Sequence, residues 1–285
     1  MSRDLPTWGL HPRTPAAAYR LWPAANYSSI KQFYYTPLHV YQELTDPSEE
    51  TDAMRFGTAT HTAILEPERF EHLYVRGAAG NLRSKGPKDE NEQIKFDNPD
   101  KQIVRDKEWP KLMRMRDRVW EHPRAREVLS SEGFTELSYL WVDPVTSLAC
   151  KARIDKLGGS DDGWPIALDL KSFGEKGGRL TDSAIERVIH DRQYHIQAAH
   201  YLNGLDVLSP SQRRFILLLV EKSAPFAVRM VEIDFAALEL GRRQIDRWLK
   251  RLKKCQETGE WPGWSTGFDP IGVPAYAYSQ EEEDE

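Results

Sequence analysis

Three consecutive extended segments in the middle of the chain constrain its fold most strongly. Residues 135–142 and 147–156 alternate between apolar and polar side chains on either side of the turn at 143–146. This pattern predicts a β-hairpin. The largely apolar segment 164–171 follows and predicts a third, buried strand. The chain must therefore build a sheet around these strands, with the segments before and after them packed on its faces.

Charged residues stand on two of these predicted strands. Asp155 lies on the second, and Asp169 and Lys171 on the third. Because Asp169 and Lys171 are two positions apart, they project to one face, and Asp155 can lie opposite Asp169 across the pairing. Together with the Leu170 carbonyl, the two carboxylates can hold Mg²⁺ beside a water that Lys171 contacts. An Asp-x-Lys motif alone is equally explained by a surface ion pair.

The remaining pattern predicts an α/β protein with a central mixed β-sheet flanked by helices. A first helix opens at 27–29 with Ser28 or Ser29 as its N-cap, and a second runs over 52–65. A basic helix begins near 109. Further elements are expected at 182–190, 194–202, 213–221 and 226–233, with a closing helix over 235–257 capped by Asp234.

These elements predict one large domain with additional segments at its ends and within it. Residues 1–27, rich in Pro and Ala, are expected to form an N-terminal arm, and 28–264 the domain itself. The charged stretch 76–107 predicts a mobile insertion. Residues 265–285 form a C-terminal tail that is acidic and expected to be disordered at 280–285.

Composition excludes several classes of protein. The chain has a net charge of -5 and a mean hydropathy of -0.63, which argue against a passive DNA-coating protein and against a membrane span. The N-terminus lacks an apolar secretory segment, so a cytoplasmic location with Cys150 and Cys255 reduced is expected. Two cysteines are too few for a four-cysteine iron–sulfur cluster. The sequence has no phosphate-binding glycine loop, so no nucleotide cofactor is expected.

Five further residues are candidates for the site. Gln197 and Tyr201 are four residues apart on one predicted helical face and can bind the substrate, or Tyr201 can lie in the core. His61 can be a metal ligand or a structural helix histidine. Glu136 can add a carboxylate to the metal site or be an exposed strand residue. Arg153 can face the phosphates or form a salt bridge within the sheet.

The order of these pieces resembles the RecB-like branch of the PD-(D/E)XK nuclease superfamily. Within that branch the chain is similar to the phage and prophage exonuclease VIII (RecE-type) group. The similarity extends over about 28–264. It is carried by Phe56-Gly57-Thr58-Ala59-Thr60-His61-Thr62-Ala63-Ile64-Leu65-Glu66-Pro67, Glu136-Leu137-Ser138, Lys151-Ala152-Arg153-Ile154-Asp155, Tyr194-His195-x-Gln197-Ala198-Ala199-x-Tyr201 and Trp261-Pro262-Gly263.

The resemblance implies a Mg²⁺-dependent exonuclease, with Mn²⁺ able to substitute, that degrades duplex DNA from 5′ ends. The 3′ single strand it leaves would pass to a RecT-like annealing protein during phage-type recombination in a bacterial host. A ring-shaped homo-oligomer is implied as well. By resemblance Asp155, Asp169 and Lys171 are catalytic or metal-binding, His61 is close to the metal, and Gln197 with Tyr201 binds substrate. An endonuclease, a repair nuclease of other polarity and a non-catalytic DNA-end binder remain alternatives.

Overall fold

The computed structural model describes residues 5–47, 50–81, 83–174 and 179–273. Their architecture is a six-stranded sheet with helices on both faces and a separate pair of short strands. The strands are β1 Gly9–His11, β2 Tyr74–Arg76, β3 Gln102–Val104, β4 Phe134–Val142, β5 Ala149–Gly159, β6 Pro165–Phe173, β7 Arg214–Glu221 and β8 Val228–Glu232.

Several helices begin where a capping side chain accepts a hydrogen bond from a first-turn N–H. Thr51 caps α4 and Asp234 caps α11, each by accepting a hydrogen bond from the N–H three residues ahead. The helices are α1 Ala16–Arg20, α2 Tyr27–Ile30, α3 Pro37–Thr45, α4 Asp52–Leu65, α5 Pro67–Leu73, α6 Lys85–Asp97, α7 Trp109–Glu121, α8 Pro123–Ser130, α9 Asp182–Asp191, α10 Tyr194–Leu208 and α11 Phe235–Thr258. A 3₁₀ turn, Lys31–Tyr34, joins α2 to α3.

The large sheet has the strand order β1-β4-β5-β6-β7-β8. Its neighbours pair antiparallel except β6 and β7, which run parallel and are joined through α9 and α10. The mixed sheet predicted from the sequence is therefore confirmed. The predicted hairpin is confirmed as β4 and β5, and the predicted buried strand as β6.

Both faces of the sheet are buried, because side chains of the central strands alternate between two cores. Phe215, Leu217 and Leu219 of β7 pack with α10 and α11 residues in one core. The intervening β7 residues join a second core with residues of α4, α7 and α8. This layering brings α4 over one face of the strand ends and α10 over the other.

The N-terminal arm predicted at 1–27 is not a separate arm where it is described. β1 pairs with β4, Gly9 opposite Leu140 and His11 opposite Ser138, and so forms the edge of the sheet. Three residues are too short a strand for periodicity to reveal. The N-cap of α2 is Asn26, not Ser28 or Ser29, since the Asn26 side chain accepts a hydrogen bond from the Ser29 N–H.

The segment 76–107, predicted as a mobile insertion, contains regular structure. The parallel pair β2 and β3 closes it, and the 13-residue helix α6 lies between them. Its polar surface carries pairs one turn apart, Lys88 with Glu92 and Gln93 with Asp97, which favour a helix without an apolar stripe. The predicted mobility of this segment stays a prediction.

Three further expectations concern cysteines, membranes and the tail. Cys150 and Cys255 are free and buried, which confirms the expectation of unpaired thiols. In the part of the chain that the structure describes, no helix combines the length and apolarity that crossing a bilayer requires. The disorder predicted for 280–285 concerns residues outside the described ones.

The contact of α10 with α11 depends on Gly241. A Cβ at this position would overlap the His195 carbonyl oxygen and lie 3.0 Å from the Ala199 side chain. We expect Gly241→Ala to lower the free energy of unfolding by about 2 kcal/mol in urea denaturation, because the helices must separate. Gly57→Ala is the matched control. Its Cβ meets nothing within 4 Å, so this helix substitution should raise stability by up to about 1 kcal/mol. Equal effects of the two substitutions would contradict the packing argument.

Candidate active site

The candidate site lies where β5 and β6 separate. Their antiparallel ladder runs from Gly159 opposite Pro165 to Lys156 opposite Leu168, and it stops there. Asp155 and Asp169 occupy the next register step, so they follow the last paired residues of the two strands. At this point the Leu170 N–H donates to Asp155 Oδ2 at 2.6 Å. The Asp155 side chain thus takes the place of a backbone acceptor and links the two strands beyond the end of their ladder.

The backbone of β4 and β5 is irregular at the same level. Glu136 has a φ of 53°, and this left-handed conformation is uncommon for a residue other than Gly. Ile154 and Leu157, three residues apart on β5, both pack against the same core, so strict alternation breaks at Asp155. Such departures concentrate at functional sites, where they redirect a side chain.

His61 of α4 completes a compact group with two of these carboxylates. His61 Nδ1 lies 3.4 Å from Asp155 Oδ2. One ligand atom from each of His61, Glu136 and Asp155 lies within 4.8 Å of the others. The structure therefore brings together two candidates from the sequence. They are the histidine expected close to the metal and the strand glutamate that was considered as an additional carboxylate.

Asp169 has a different set of partners. Its Oδ1 accepts a hydrogen bond of 2.9 Å from Gln197 Nε2 on α10. Lys171 Nζ lies 2.7 Å from its Oδ2, but this oxygen, although buried, accepts no aligned hydrogen bond from any described residue. The contact is therefore an ion pair without hydrogen-bond geometry. The expected shared face of Asp169 and Lys171 is confirmed.

The pKa values of the two aspartates are shifted in opposite directions. Burial raises the pKa of Asp155, but the neighbouring His61, the Lys171 charge and the Leu170 N–H outweigh it, so the net pKa is lowered. For Asp169 burial dominates, Lys171 opposes it and Asp155 adds repulsion, and the pKa is raised. Two close carboxylates repel each other, and one of them becomes easier to protonate. A positive charge placed between them would remove this conflict.

The basic members of the site are stabilised in their charged forms. Burial lowers the pKa of Lys171, but the Asp169 carboxylate and other nearby groups raise it above its ordinary value. The same balance acts on His61, where Asp155 outweighs burial and the pKa is raised. Lys171 is therefore a cation here, suited to orienting a water or stabilising negative charge. The alternative in which a depressed pKa lets Lys171 accept a proton is not favoured.

The residues fit a divalent cation. Carboxylate oxygens and imidazole nitrogen are common ligands, and His61, Glu136 and Asp155 offer them from three different elements. The buried Oδ2 of Asp169, without a hydrogen bond, is a further oxygen that a cation can satisfy. The carbonyl of Leu170, expected as a ligand by resemblance, stays a prediction.

The residues predicted to bind substrate make internal contacts. Gln197 is buried and holds Asp169. Tyr201, one turn later, packs at 6.3 Å from the Phe215 ring, in line with the core alternative. Arg153 forms the salt bridge that the sequence left open, 2.5 Å from Glu136 Oε2, and also donates to the Thr14 carbonyl at 2.6 Å. The substrate-binding roles stay predictions. Within the site, Gln197 positions Asp169, and Arg153 positions Glu136.

Two tyrosines near the site were given no role by the sequence reasoning. Lys171 Nζ lies 5.0 Å from the centroid of the Tyr194 ring, a cation–π contact that steadies the lysine. The hydroxyl of Tyr27 donates to the Gln193 carbonyl at 2.8 Å and joins α2 to the start of α10. Tyr194 stands three residues before Gln197, on the same helical face, and that spacing could have revealed it. Tyr27 has no comparable signal.

A cavity of about 930 Å³ borders the site. It lies between the N-terminal segment and the start of α4, and Arg153 and Met54 contribute to its wall. Lys151 Nζ holds the N-terminal segment there by donating to the Tyr19 and Trp22 carbonyls at 3.0 and 2.7 Å. Space for a bound molecule therefore exists next to the salt bridge between Arg153 and Glu136.

The pairing of His61 with Asp155 predicts a pH-dependent stability in the absence of metal. Because folding raises the pKa of His61, its stabilising effect is complete below the ordinary value of 6.5 and disappears as pH rises through the folded-state pKa. We expect His61→Asn to lower the free energy of unfolding by about 1 kcal/mol near pH 5.5. This difference should shrink toward zero near pH 9, measured by urea denaturation in EDTA.

His190→Asn is the matched control for this experiment. His190 forms an ion pair with Asp191 at 3.2 Å, but both side chains are largely exposed, so solvent screens the pair. Its substitution should change stability little at either pH. A His61 effect that grows with pH would contradict the assigned pairing.

Comparison with known proteins agrees with this architecture. A family model described as a PDDEXK-like domain of unknown function (DUF3799) matches residues 26–270. None of the curated proteins compared matches the chain. The chain is similar to a solved Eubacterium rectale structure provisionally named an exonuclease, at 11% identity and a TM-score of 0.57, covering 95% of this chain and 98% of that one. This likeness shows a shared fold. The chain belongs to the PDDEXK-like family DUF3799, within the PD-(D/E)XK nuclease superfamily.

Proposed function

We propose that the protein is a metal-dependent exodeoxyribonuclease that degrades duplex DNA from 5′ ends and leaves 3′ single strands. The observation that carries the nuclease assignment is the grouping of His61, Glu136 and Asp155 beside the Asp169–Lys171 pair, where β5 and β6 separate. Membership of a PDDEXK-like family supports the same chemistry. A phosphodiester hydrolase needs acidic groups for a cation and a fixed positive charge beside the reacting phosphate, and this site has both.

The protein's own residues have separate tasks in this proposal. Asp155, held by the Leu170 N–H and His61, and Glu136, held by Arg153, present oxygens for a cation. Gln197 fixes the orientation of Asp169. Lys171, charged and anchored by Asp169 and Tyr194, orients the attacking water and stabilises negative charge on the phosphate. Mg²⁺, with Mn²⁺ able to replace it, would supply a Lewis acid and a water of lowered pKa.

The finer features of the proposal rest on resemblance. The motifs around His61, Gln197 and Trp261 resemble RecE-type exonucleases, which supports 5′ polarity and action on double-stranded ends. The same resemblance supports a ring-shaped homo-oligomer, transfer of the 3′ strand to a RecT-like annealing protein, and a cytoplasmic role in a bacterial host carrying a phage or prophage. The solved structure with the shared fold carries an exonuclease name, which supports exonuclease over endonuclease action.

Removal of either charge at the centre of the site should abolish hydrolysis. We expect Asp169→Asn and Lys171→Ala each to reduce Mg²⁺-dependent nucleotide release from linear duplex DNA by roughly 100- to 1000-fold. The first removes the carboxylate charge that anchors Lys171 and attracts the cation, and the second removes the positive charge beside the reacting phosphate. The readout is acid-soluble product from uniformly labelled DNA, with EDTA as the blank.

Matched controls for these variants are Asp161→Asn and Lys250→Ala, which change exposed residues outside the site. Both should retain activity within about twofold, as expected for surface changes. Full activity in Asp169→Asn would refute the site. Absence of metal-dependent cleavage in the unmodified protein would instead favour a DNA-end binder without catalysis.

Strand polarity is tested with one duplex carrying different labels at its 5′ and 3′ ends. We expect early release of the 5′ label as mononucleotide, while the 3′ label stays in long single strands, because cleavage begins at the 5′ end. A closed circular duplex should remain intact. Early release of the 3′ label would assign the opposite polarity, and cleavage of the circle would identify an endonuclease.

A further inference from the structure

Four exposed aromatic rings form a continuous row on the surface. Tyr34, Tyr35, His39 and Trp264 make up this aromatic row, with successive ring centroids 5.3, 5.3 and 6.1 Å apart. Tyr34 and Trp264 are each 67% exposed and Tyr35 is 51% exposed. Large apolar rings are normally buried, so a contiguous exposed group indicates a binding surface.

The row is assembled from two distant parts of the chain. The Leu38 N–H donates to the Pro262 carbonyl at 3.2 Å, and the rings of Tyr41 and Trp261 lie 5.4 Å apart. These contacts hold the segment after α11 against α3 and so place Trp264 beside His39. His39 is itself fixed by the Thr36 hydroxyl, 2.8 Å from its Nδ1. The rings are therefore held in place before anything binds.

The row is connected to the candidate active site through α2. Tyr34 closes the 3₁₀ turn that begins at Lys31 and directly follows α2, the helix whose Tyr27 hydroxyl is bonded to the start of α10. Lys31 Nζ lies 6.0 Å from the centroid of the same Tyr27 ring. The segment that carries Tyr34 is therefore joined to a residue that contacts the start of α10, the helix of Gln197.

Two cations accompany the segment that carries Tyr34. Lys31 and Arg251 are exposed. Lys31 begins the 3₁₀ turn that ends at Tyr34, and the Arg251 guanidinium lies 5.4 Å from the ring centroid of Phe33, the residue before Tyr34. Neither forms an ion pair with a carboxylate of the described ranges. Aromatic faces beside cations without ion pairs match a polyanion that carries flat, apolar rings.

We propose that the aromatic row binds an unpaired DNA strand by base stacking, with Lys31 and Arg251 contacting its phosphates. The proposal rests on the proposed nuclease function for its biological setting, since an end-degrading nuclease must guide a single strand away from its site. Stacking on rings is indifferent to sequence because every base has a π face, as a nuclease acting on any DNA end requires. A second copy of this chain and a partner protein are the competing occupants.

The test measures binding without catalysis. Full-length protein is titrated in EDTA against a fluorescein-labelled oligothymidine of about 20 nucleotides, followed by fluorescence anisotropy, with Tyr35→Ala/Trp264→Ala as the variant. We expect the variant to bind at least about tenfold more weakly, because each lost ring removes one stacking contact. An abasic strand of equal length should bind the unmodified protein and the variant equally weakly.

Two matched variants separate stacking from general damage. Tyr35→Phe/Trp264→Phe keeps the rings and should bind within about twofold of the unmodified protein. Phe96→Ala/Phe235→Ala removes two aromatic side chains that are 79% and 74% exposed elsewhere on the surface, and it should not change binding. Thermal melting of each variant confirms that the fold is intact.

Several results would overturn the proposal. They are unchanged oligothymidine binding in the folded Tyr35→Ala/Trp264→Ala variant, equal loss in the Phe96→Ala/Phe235→Ala variant, and tight binding of the abasic strand. A lower sedimentation mass of the row variant, with unchanged DNA binding, would assign the row to contact with a second copy. If the unmodified protein cleaves nothing yet binds through the row, the nuclease proposal fails and the strand-binding proposal stands.

Discussion

The hydrogen bond from the Leu170 N–H to the Asp155 carboxylate determines how the rest of the site is arranged. It forms at 2.6 Å where the β5–β6 ladder has ended, so a buried side chain takes over from the backbone in joining the strands. This contact turns Asp155 toward His61 of α4. Asp169 is then left to Lys171 and Gln197. The acidic residues are therefore divided between two sets of partners, His61 of α4 for Asp155 and Lys171 with Gln197 of α10 for Asp169.

The division matters because burying carboxylates together is unfavourable unless each has a positive or hydrogen-bonding partner. Asp155 is 8% and Asp169 3% exposed, and each has its own cation or imidazole. Glu136 has Arg153. The left-handed backbone at Glu136 adds strain at the same place. A site that keeps a buried carboxylate oxygen without a hydrogen bond, and a strained backbone, is poised to gain from binding a cation.

Prediction from the sequence succeeded where elements are long and regular. The helix 52–65 and the hairpin of β4 and β5 were recovered because periodicity, a capping residue and a turn agreed. It failed at β1, whose three residues depend on the edge of β4 for their hydrogen bonds. It failed also at α6, where pairs between polar side chains replace an apolar face. A sequence pattern therefore predicts an element only when the element is long enough, and has an apolar face regular enough, to produce a periodic pattern.

The sequence by itself determined the hairpin of β4 and β5 with the buried strand β6 after it, the shared face of Asp169 and Lys171, and the set of residues from which a site could be built. Period-two and period-3.6 spacing fix relations within one element, so these predictions needed no packing. Only the tertiary structure decided that His61 and Glu136 join Asp155 while Gln197 supports Asp169. It also decided which distant aromatic rings meet on the surface. Contacts between elements depend on how their faces pack, and spacing along the chain does not encode that.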